Sequence, residues 1–288
     1  MRASYILLLL LLALVAGYSS ALLTHHQTNN AIITQRESAY ERVMRTNELR
    51  CGYMLYEPMV RKDPNTGAFS GIAVDLAAEL GKALNIKFIW AEETGWGTAI
   101  EGLRTGRYDA LCVGFWRLAA EGKHLYYTQT FAYSIVEIMA RANDARFDLN
   151  IAAINDAAVR IMSSDGMEAT RIANRDFPRA QLIELPNMQG DSDLMESVAS
   201  GKADITFIDA ATSDRYMTAN PGKLKRLART APIRIYQNTF ALPQDERLKA
   251  MLDTALNDLV ENGGMDIILD KYDAAHKTLL RIKRPTLQ

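Results

Sequence analysis

The stretch EGLRTGRYDALCVG, residues 101–114, decides how this chain folds, because ESVASGKADITFID, residues 196–209, repeats its pattern. Each copy reads glutamate, apolar residues at helical spacing, a glycine followed by a basic residue (Gly106-Arg107, Gly201-Lys202), an aspartate and an apolar run. Physically that is a helix stopped by a glycine able to take the left-handed conformation, a tight turn, and a buried strand. Helix-glycine-strand units recur in any α/β chain, but the matched offsets at Glu, Gly, basic residue and Asp point to two similar lobes.

Each copy is flanked by the material of a lobe. Before the first, LRCGYML (49–55) reads as a strand and KDPNTGAFSG (62–71) as a turn-rich loop. Ala73, Leu76, Ala77, Leu80 and Leu84 then form an amphipathic helical stripe, followed by a strand at IKFIWAE (86–92). Before the second, AVRIMSSDG (158–166) is strand then loop, EATRIANRDF (168–177) a helix stopped by Pro178, and AQLIELP (180–186) a strand. Strands alternating with helices predict an α/β protein with mostly parallel sheets and right-handed crossovers.

Charge excludes one class of partner. Lys+Arg 33 against Asp+Glu 34 leaves a net charge of -1, without the basic surface that nucleic-acid phosphates require. Neither a phosphate loop nor a nucleophile-base pair is legible, and no cofactor is expected. The histidines His25, His26, His124 and His276 do not stand at metal-ligand spacing, so no metal site is expected. Cys51 and Cys112 fall in strands that a doubly wound sheet sets side by side. In an oxidising compartment an even pair is a disulfide candidate, and a bridge and two buried thiols both fit.

Residues 1–23 read as a signal peptide or membrane anchor. After Arg2, the run from Tyr5 to Leu23 is uncharged, at the length where a spanning helix and a cleavable signal overlap. Ser19-Ser20-Ala21 offers a small-residue cleavage site, but Leu22-Leu23 extend the apolar run beyond it, which favours an uncleaved anchor. Residues 24–39 are polar and unpatterned, a linker. The remainder is expected on the periplasmic or extracellular face.

In open parallel sheets, ligands bind beyond the carboxyl ends of the strands. Here those ends are Tyr56-Glu57-Pro58-Met59, Gly95-Trp96, Gly114-Phe115-Trp116-Arg117, Ser164-Asp165-Gly166-Met167 and Asp209. The repeat places Gly114 and Asp209 at equivalent positions, so two lobes facing across these rims would enclose a cleft.

From about Tyr40 to Asp273 the chain resembles the bacterial extracellular solute-binding proteins of the polar amino-acid type, the receptors of ABC importers. The segments that carry the likeness are ERVMRTNELRCGYMLYEPM, SGIAVDLAAELGKALNIKFIW, GTAIEGLRTGRYDA, ASGKADITFIDA and ENGGMDIILDKYD. The resemblance implies a two-lobed Venus-flytrap fold. Lobe 1 would comprise residues 40–135 plus 239–288, lobe 2 residues 141–233, with hinge strands near Tyr133–Arg141 and Ile233–Phe240. It also implies a monomer that captures a small polar amino-acid-like ligand between the lobes and delivers it to a membrane permease.

Within that resemblance, Asp209 matches the acid that receives the ligand's ammonium group, and Gly166 the glycine of a carboxylate-binding loop in which Met167 replaces a hydroxyl residue. Tyr56 and Met59 match the aromatic loop. Gly114 matches the first residue of a G-x-T-x-x-x-x-R motif, but Trp116 stands at the threonine and Glu121 at the carboxylate-binding arginine.

Three readings follow. Arg117 could enter the cleft and supply a bidentate fork for a carboxylate. Alternatively Tyr56, Trp96, Phe115 and Trp116, with Glu57, Asp165 and Asp209, suit an organic cation, held by a transport receptor or a sensor. A third reading is an enzyme like the cyclohexadienyl dehydratases, with Glu168 as the acid. Glu168 also opens a helix, where an acid is favoured by the exposed amides, and that account outweighs a catalytic one.

Overall fold

The computed structural model describes residues 37–164, 167–185, 191–227 and 231–283. The chain divides into two units, Met1–Glu37 and Ser38–Gln288. The expected signal or anchor, and the linker through residue 36, lie outside the described residues. The strands of the second unit are β1 (Glu48–Tyr53), β2 (Arg61–Lys62), β3 (Phe69–Ser70), β4 (Lys87–Glu93), β5 (Ala110–Trp116), β6 (Tyr126–Tyr127), β7 (Ala132–Arg141), β8 (Arg160–Ser164), β9 (Gln181–Leu185), β10 (Ile205–Asp209), β11 (Leu224–Arg226), β12 (Arg234–Leu242) and β13 (Leu279–Leu280).

The main sheet runs β4-β1-β5-β12-β7-β10-β8-β9. Parallel pairing at one end (β4, β1, β5) and at the other (β10, β8, β9) matches the alternation read in the sequence. Between them stand the long strands β7 and β12, antiparallel to each other and to their outer neighbours. The sheet is therefore two parallel halves joined through two adjacent connecting strands.

Burial follows the same division. One core gathers Leu49, Leu76, Leu80, Leu111, Phe131 and Phe240 with their neighbours. Helix Ile72–Leu84 turns Ala73, Leu76, Ala77 and Leu80 into it, and each fully buried leucine contributes about 1.5–3 kcal/mol. Two further cores flank the other half. Because side chains alternate along a strand, β7 sends Val136, Ile138 and Ala140 into one and Met139 into the other.

The internal repeat has a structural basis at its aspartates. Gly106 and Gly201 take the expected left-handed conformation, at φ 72° and 79°. Asp109 accepts the backbone N–H of Arg50 at 2.7 Å, and Asp204 that of Arg160 at 2.8 Å. Each arginine side chain reaches both its aspartate and the carbonyl of the stop glycine. The repeated Gly-basic-x-Asp element thus clamps each half's first strand to the helix turn beside it. Burial alone would raise the Asp204 carboxyl; hydrogen bonds from Arg141, Arg160 and Arg146 hold it well below the usual range.

Cys51 and Cys112 are bridged, with Cα atoms 5.4 Å apart. They join β1 to β5, the neighbouring strands expected to carry them.

Candidate functional site

Three strand ends build a cavity of about 140 Å³. After β1 the chain folds back on itself: Tyr56 pairs with Val60 across a turn that contains a cis Glu57-Pro58 bond. The carbonyls of Pro58 and Met59 accept the N–H groups of Ile72 and Ala73, which fixes this turn against a helix start that has no side-chain cap. Gly71 makes the approach possible. Its φ is 130°, and a Cβ there would stand 2.3 Å from the Met59 carbonyl oxygen. Tyr56 is thereby presented to the cavity, edge-on to Trp96 with ring centroids 5.9 Å apart.

Strand β5 ends at Phe115 and Trp116, both of which line the cavity. Trp116 stacks on Tyr236 of β12 at 4.5 Å and 16°. Its indole Nε1 is buried and has no hydrogen-bond partner. Buried donors are seldom left unmatched, so such an atom marks a place for an acceptor.

From the other half come Met167, Glu168 and Arg171 at the start of helix Glu168–Asp176, and Asp209 at the end of β10. Asp209 is 5% exposed and caps helix Ala210–Ala219 by accepting the Thr212 N–H at 2.9 Å. Burial raises its carboxyl, against hydrogen bonds from Thr212 and Tyr56 and the charge of Arg215. Asp191, first residue of helix Asp191–Ala199, lines the same cavity. Burial, and then the charge of Asp209, push its carboxyl up to about 6. Burial, and then the same two aspartates, hold the Tyr56 hydroxyl well above its ordinary value. Two acids therefore line a mostly apolar cavity, and the charge of Asp209 adds to the burial that raises Asp191.

A second charge group includes Glu121, where the resemblance expects arginine. Glu121 Oε1 stands 3.7 Å from Arg171 Nη2, while Arg171 Nη1 donates to Glu168 Oε2 at 2.8 Å. The other oxygen of Glu168 accepts the Tyr236 hydroxyl at 2.5 Å. Both oxygens of Glu168 are therefore engaged by partners within the protein. Ile100, Val136, Phe207 and Ile208 supply apolar walls.

Of the residues singled out in the sequence, Tyr56, Trp96, Trp116, Met167 and Asp209 meet at this cavity. Met59 and Gly114 lie beneath it: a Cβ on Gly114 would stand 2.9 Å from Met59 Cγ and from Asn238 Oδ1, so glycine is what lets Met59 pack there. Arg117 turns elsewhere. Its guanidinium donates to the Thr128 carbonyl at 2.7 Å and lies over the Tyr127 ring. Gly166 and Asp165 lie outside the described residues. Asp191 and Arg171 were not anticipated; in the sequence both read as ordinary polar positions on helices.

Two parallel half-sheets, a pair of connecting strands and a cavity at the strand ends define a two-lobed α/β ligand-binding fold. The chain belongs to the bacterial extracellular solute-binding proteins, family 3, whose signature matches residues 49–275. It is a solute-binding protein, and membership implies a place outside the cytoplasm. It is 21% identical over 238 residues to cyclohexadienyl dehydratase of Pseudomonas aeruginosa, covering 82% of this chain and 86% of that protein. It is also 21% identical over 219 residues to the L-cystine-binding protein TcyA of Bacillus subtilis, covering 75% and 77%. Among solved structures, the ancestral amino acid-binding protein AncCDT-1, a precursor of cyclohexadienyl dehydratase, superposes with a TM-score of 0.69 at 22% identity, over 82% of this chain and 99% of that one. A putative binding component of an ABC transporter from Wolinella succinogenes, complexed with lysine, gives 0.68 at 21%, over 79% and 96%. These likenesses agree on the fold. Proteins of this kind that serve ABC transporters bind small molecules and work with a permease.

Proposed function

We propose that this protein captures a small amino-acid-like molecule in the cavity between its two halves and delivers it to an ABC permease. The observation that carries the reading is the acid pair: Asp209 and Asp191 line one apolar cavity together with Tyr56. Such a place favours an ammonium group, since an opposite charge stabilises buried carboxylates in their ionised form. Tyr56, Trp96, Trp116, Met167 and Asp209 contact the ligand. Met59 and Gly114 shape the floor. Residues 40–135 with 239–288 form one lobe and 141–233 the other, closing about β7 and β12. The protein acts as a monomer, held near the inner membrane by its N-terminal segment.

The test is calorimetry with the L-amino acids on wild type and Asp209→Asn. Asparagine keeps the helix cap and removes only the charge, so affinity should fall by about a hundredfold or more. Unchanged affinity would remove Asp209 from the site.

A second reading, an organic-cation receptor for transport or sensing, is favoured by Glu121 at the position of the carboxylate-binding arginine and by the aromatic walls. Tight binding of quaternary amines with no response to amino acids would select it. An enzymatic role receives less support, because Glu168 is engaged at both oxygens. Turnover of prephenate-like acids would reverse that ordering.

A further inference from the structure

Among the described residues four carboxylates line the cavity, and two of them, Glu121 and Glu168, share the guanidinium of Arg171. The sharing crosses the molecule. Glu168 and Arg171 stand on helix Glu168–Asp176 of the second half, whereas Glu121 stands in the loop between β5 and β6 of the first. Arg171 Nη1 donates to Glu168 at 2.8 Å, and its Nη2 stands 3.7 Å from Glu121.

The contacts continue into a connecting strand. The remaining oxygen of Glu168 accepts the hydroxyl of Tyr236, on β12, at 2.5 Å. The Tyr236 ring in turn lies flat against Trp116 at the end of β5, with centroids 4.5 Å apart. Trp116 and Glu121 belong to one stretch of the first half, so the contacts close on themselves: Trp116, Tyr236, Glu168, Arg171, Glu121. This ring touches both halves and one of the two strands that join them.

Resting on the reading above, that solute is captured by closure of the two halves, we propose that the ring is a clasp. The protein draws its halves together with its own side chains, so the closed form is populated before solute binds. Glu121 thereby has a use that needs no group from the solute. The links differ in strength. The Glu121 and Arg171 side chains are 22% and 42% exposed, so water screens their pair, and it contributes about two- to fivefold to the closing equilibrium. Glu168 is only 13% exposed, and the Tyr236 hydroxyl that donates to its carboxylate contributes about tenfold or more. A solute that binds only the closed form gains apparent affinity in proportion to the closed fraction.

Two substitutions separate the clasp from the fold. Glu121→Gln leaves Arg171 paired with Glu168 on its own helix, so no charge is stranded. Tyr236→Phe keeps the stack on Trp116 and removes only the hydroxyl. The reporter is a pair of nitroxide labels at Ile267→Cys and Leu149→Cys, exposed positions on the first and second halves. Electron–electron resonance on the full chain, with no solute added, then reads the ratio of closed to open molecules.

Most molecules with an otherwise unaltered sequence should show the separation of this structure. Glu121→Gln should lower the closed-to-open ratio about two- to fivefold, and Tyr236→Phe about tenfold or more. Placed in an Arg171→Gln background, Glu121→Gln should change nothing further, because the pair is already broken. A ratio that neither substitution moves, or a Glu121→Gln effect that persists without Arg171, overturns the clasp. Since no solute enters the measurement, such a failure leaves the capture reading to its own calorimetry.

Discussion

Arg215 Nη1 donates to the backbone carbonyl of Glu57 at 2.5 Å, so a side chain on the helix capped by Asp209 grips the turn that presents Tyr56. Against the burial that pushes the Asp191 and Asp209 carboxyls up, the same guanidinium draws them down. One residue therefore fastens the turn and balances the acid pair. Arg215→Ala deletes a charge-assisted bond worth about 1.5–3 kcal/mol, and ligand should dissociate about tenfold faster or more. Stopped-flow displacement reads this directly; an unchanged rate would mean the turn is held without Arg215.

Asp191 gives the site a pH dependence. With its carboxyl raised to about 6 by burial and Asp209, the free protein carries it protonated below that pH, and a bound ammonium group must displace the proton. Affinity should fall as pH drops below about 6, by up to tenfold per unit, and level off above it. Stability of the free protein moves the other way. Because the folded value is raised, the Asp191 contribution is fully present below the unfolded value and lost as pH rises through about 6. Asp191→Asn should flatten both profiles, and a retained slope would assign the titration to another group.

Gly71→Ala should damage binding from outside the cavity. The added methyl meets the Met59 carbonyl at 2.3 Å, in a φ region that L-residues avoid. The turn carrying Tyr56 must shift, at a cost of about 1–3 kcal/mol. We expect weaker binding together with a lowered melting temperature. A variant that melts and binds like wild type would show that the turn does not depend on that approach.

Asp204→Asn should be costly, because Arg141, Arg146 and Arg160 all donate to this carboxylate. Breaking such a cluster from its acidic side costs about 3–5 kcal/mol. Since the folded value is depressed, the contribution is present above about 3.9, the unfolded value, and is lost as pH falls through the folded one. Urea unfolding at neutral pH, and again near pH 3, should show the variant's deficit shrinking in acid. A deficit independent of pH would point to packing instead of charge.

Removing the bridge with Cys51→Ser and Cys112→Ser opens a loop of sequence separation 61, for which chain entropy predicts a loss of about 4 kcal/mol. Denaturant midpoints of the double variant against wild type check the figure. Equal midpoints would mean that the buried strands hold without it.

The strand ends were legible because they are local: an apolar run that stops at Tyr56, Trp116 or Asp209 announces a rim by itself. The repeat was legible for the same reason, and the structure explains its aspartates as clamps for Arg50 and Arg160. Arg171 and Asp191 were not legible. Each lies on a helix whose sequence shows charged residues at a helix start, and nothing local says which of them the opposing loop will meet. The surroundings of Arg117 were not legible for a related reason. One step along the chain from Trp116 leads to a different environment, where the Thr128 carbonyl and the Tyr127 ring take its guanidinium.

The bridge between Cys51 and Cys112 also bears on how finely the site can be tuned. Tyr56 and Trp116 both lie a short way downstream of a bridged cysteine, the first on the loop leaving β1 and the second at the end of β5. The covalent tie acts like the pivot of a caliper, setting how far apart these two jaws stand before any solute is present. The residues at the tips can then be exchanged without resetting the gauge.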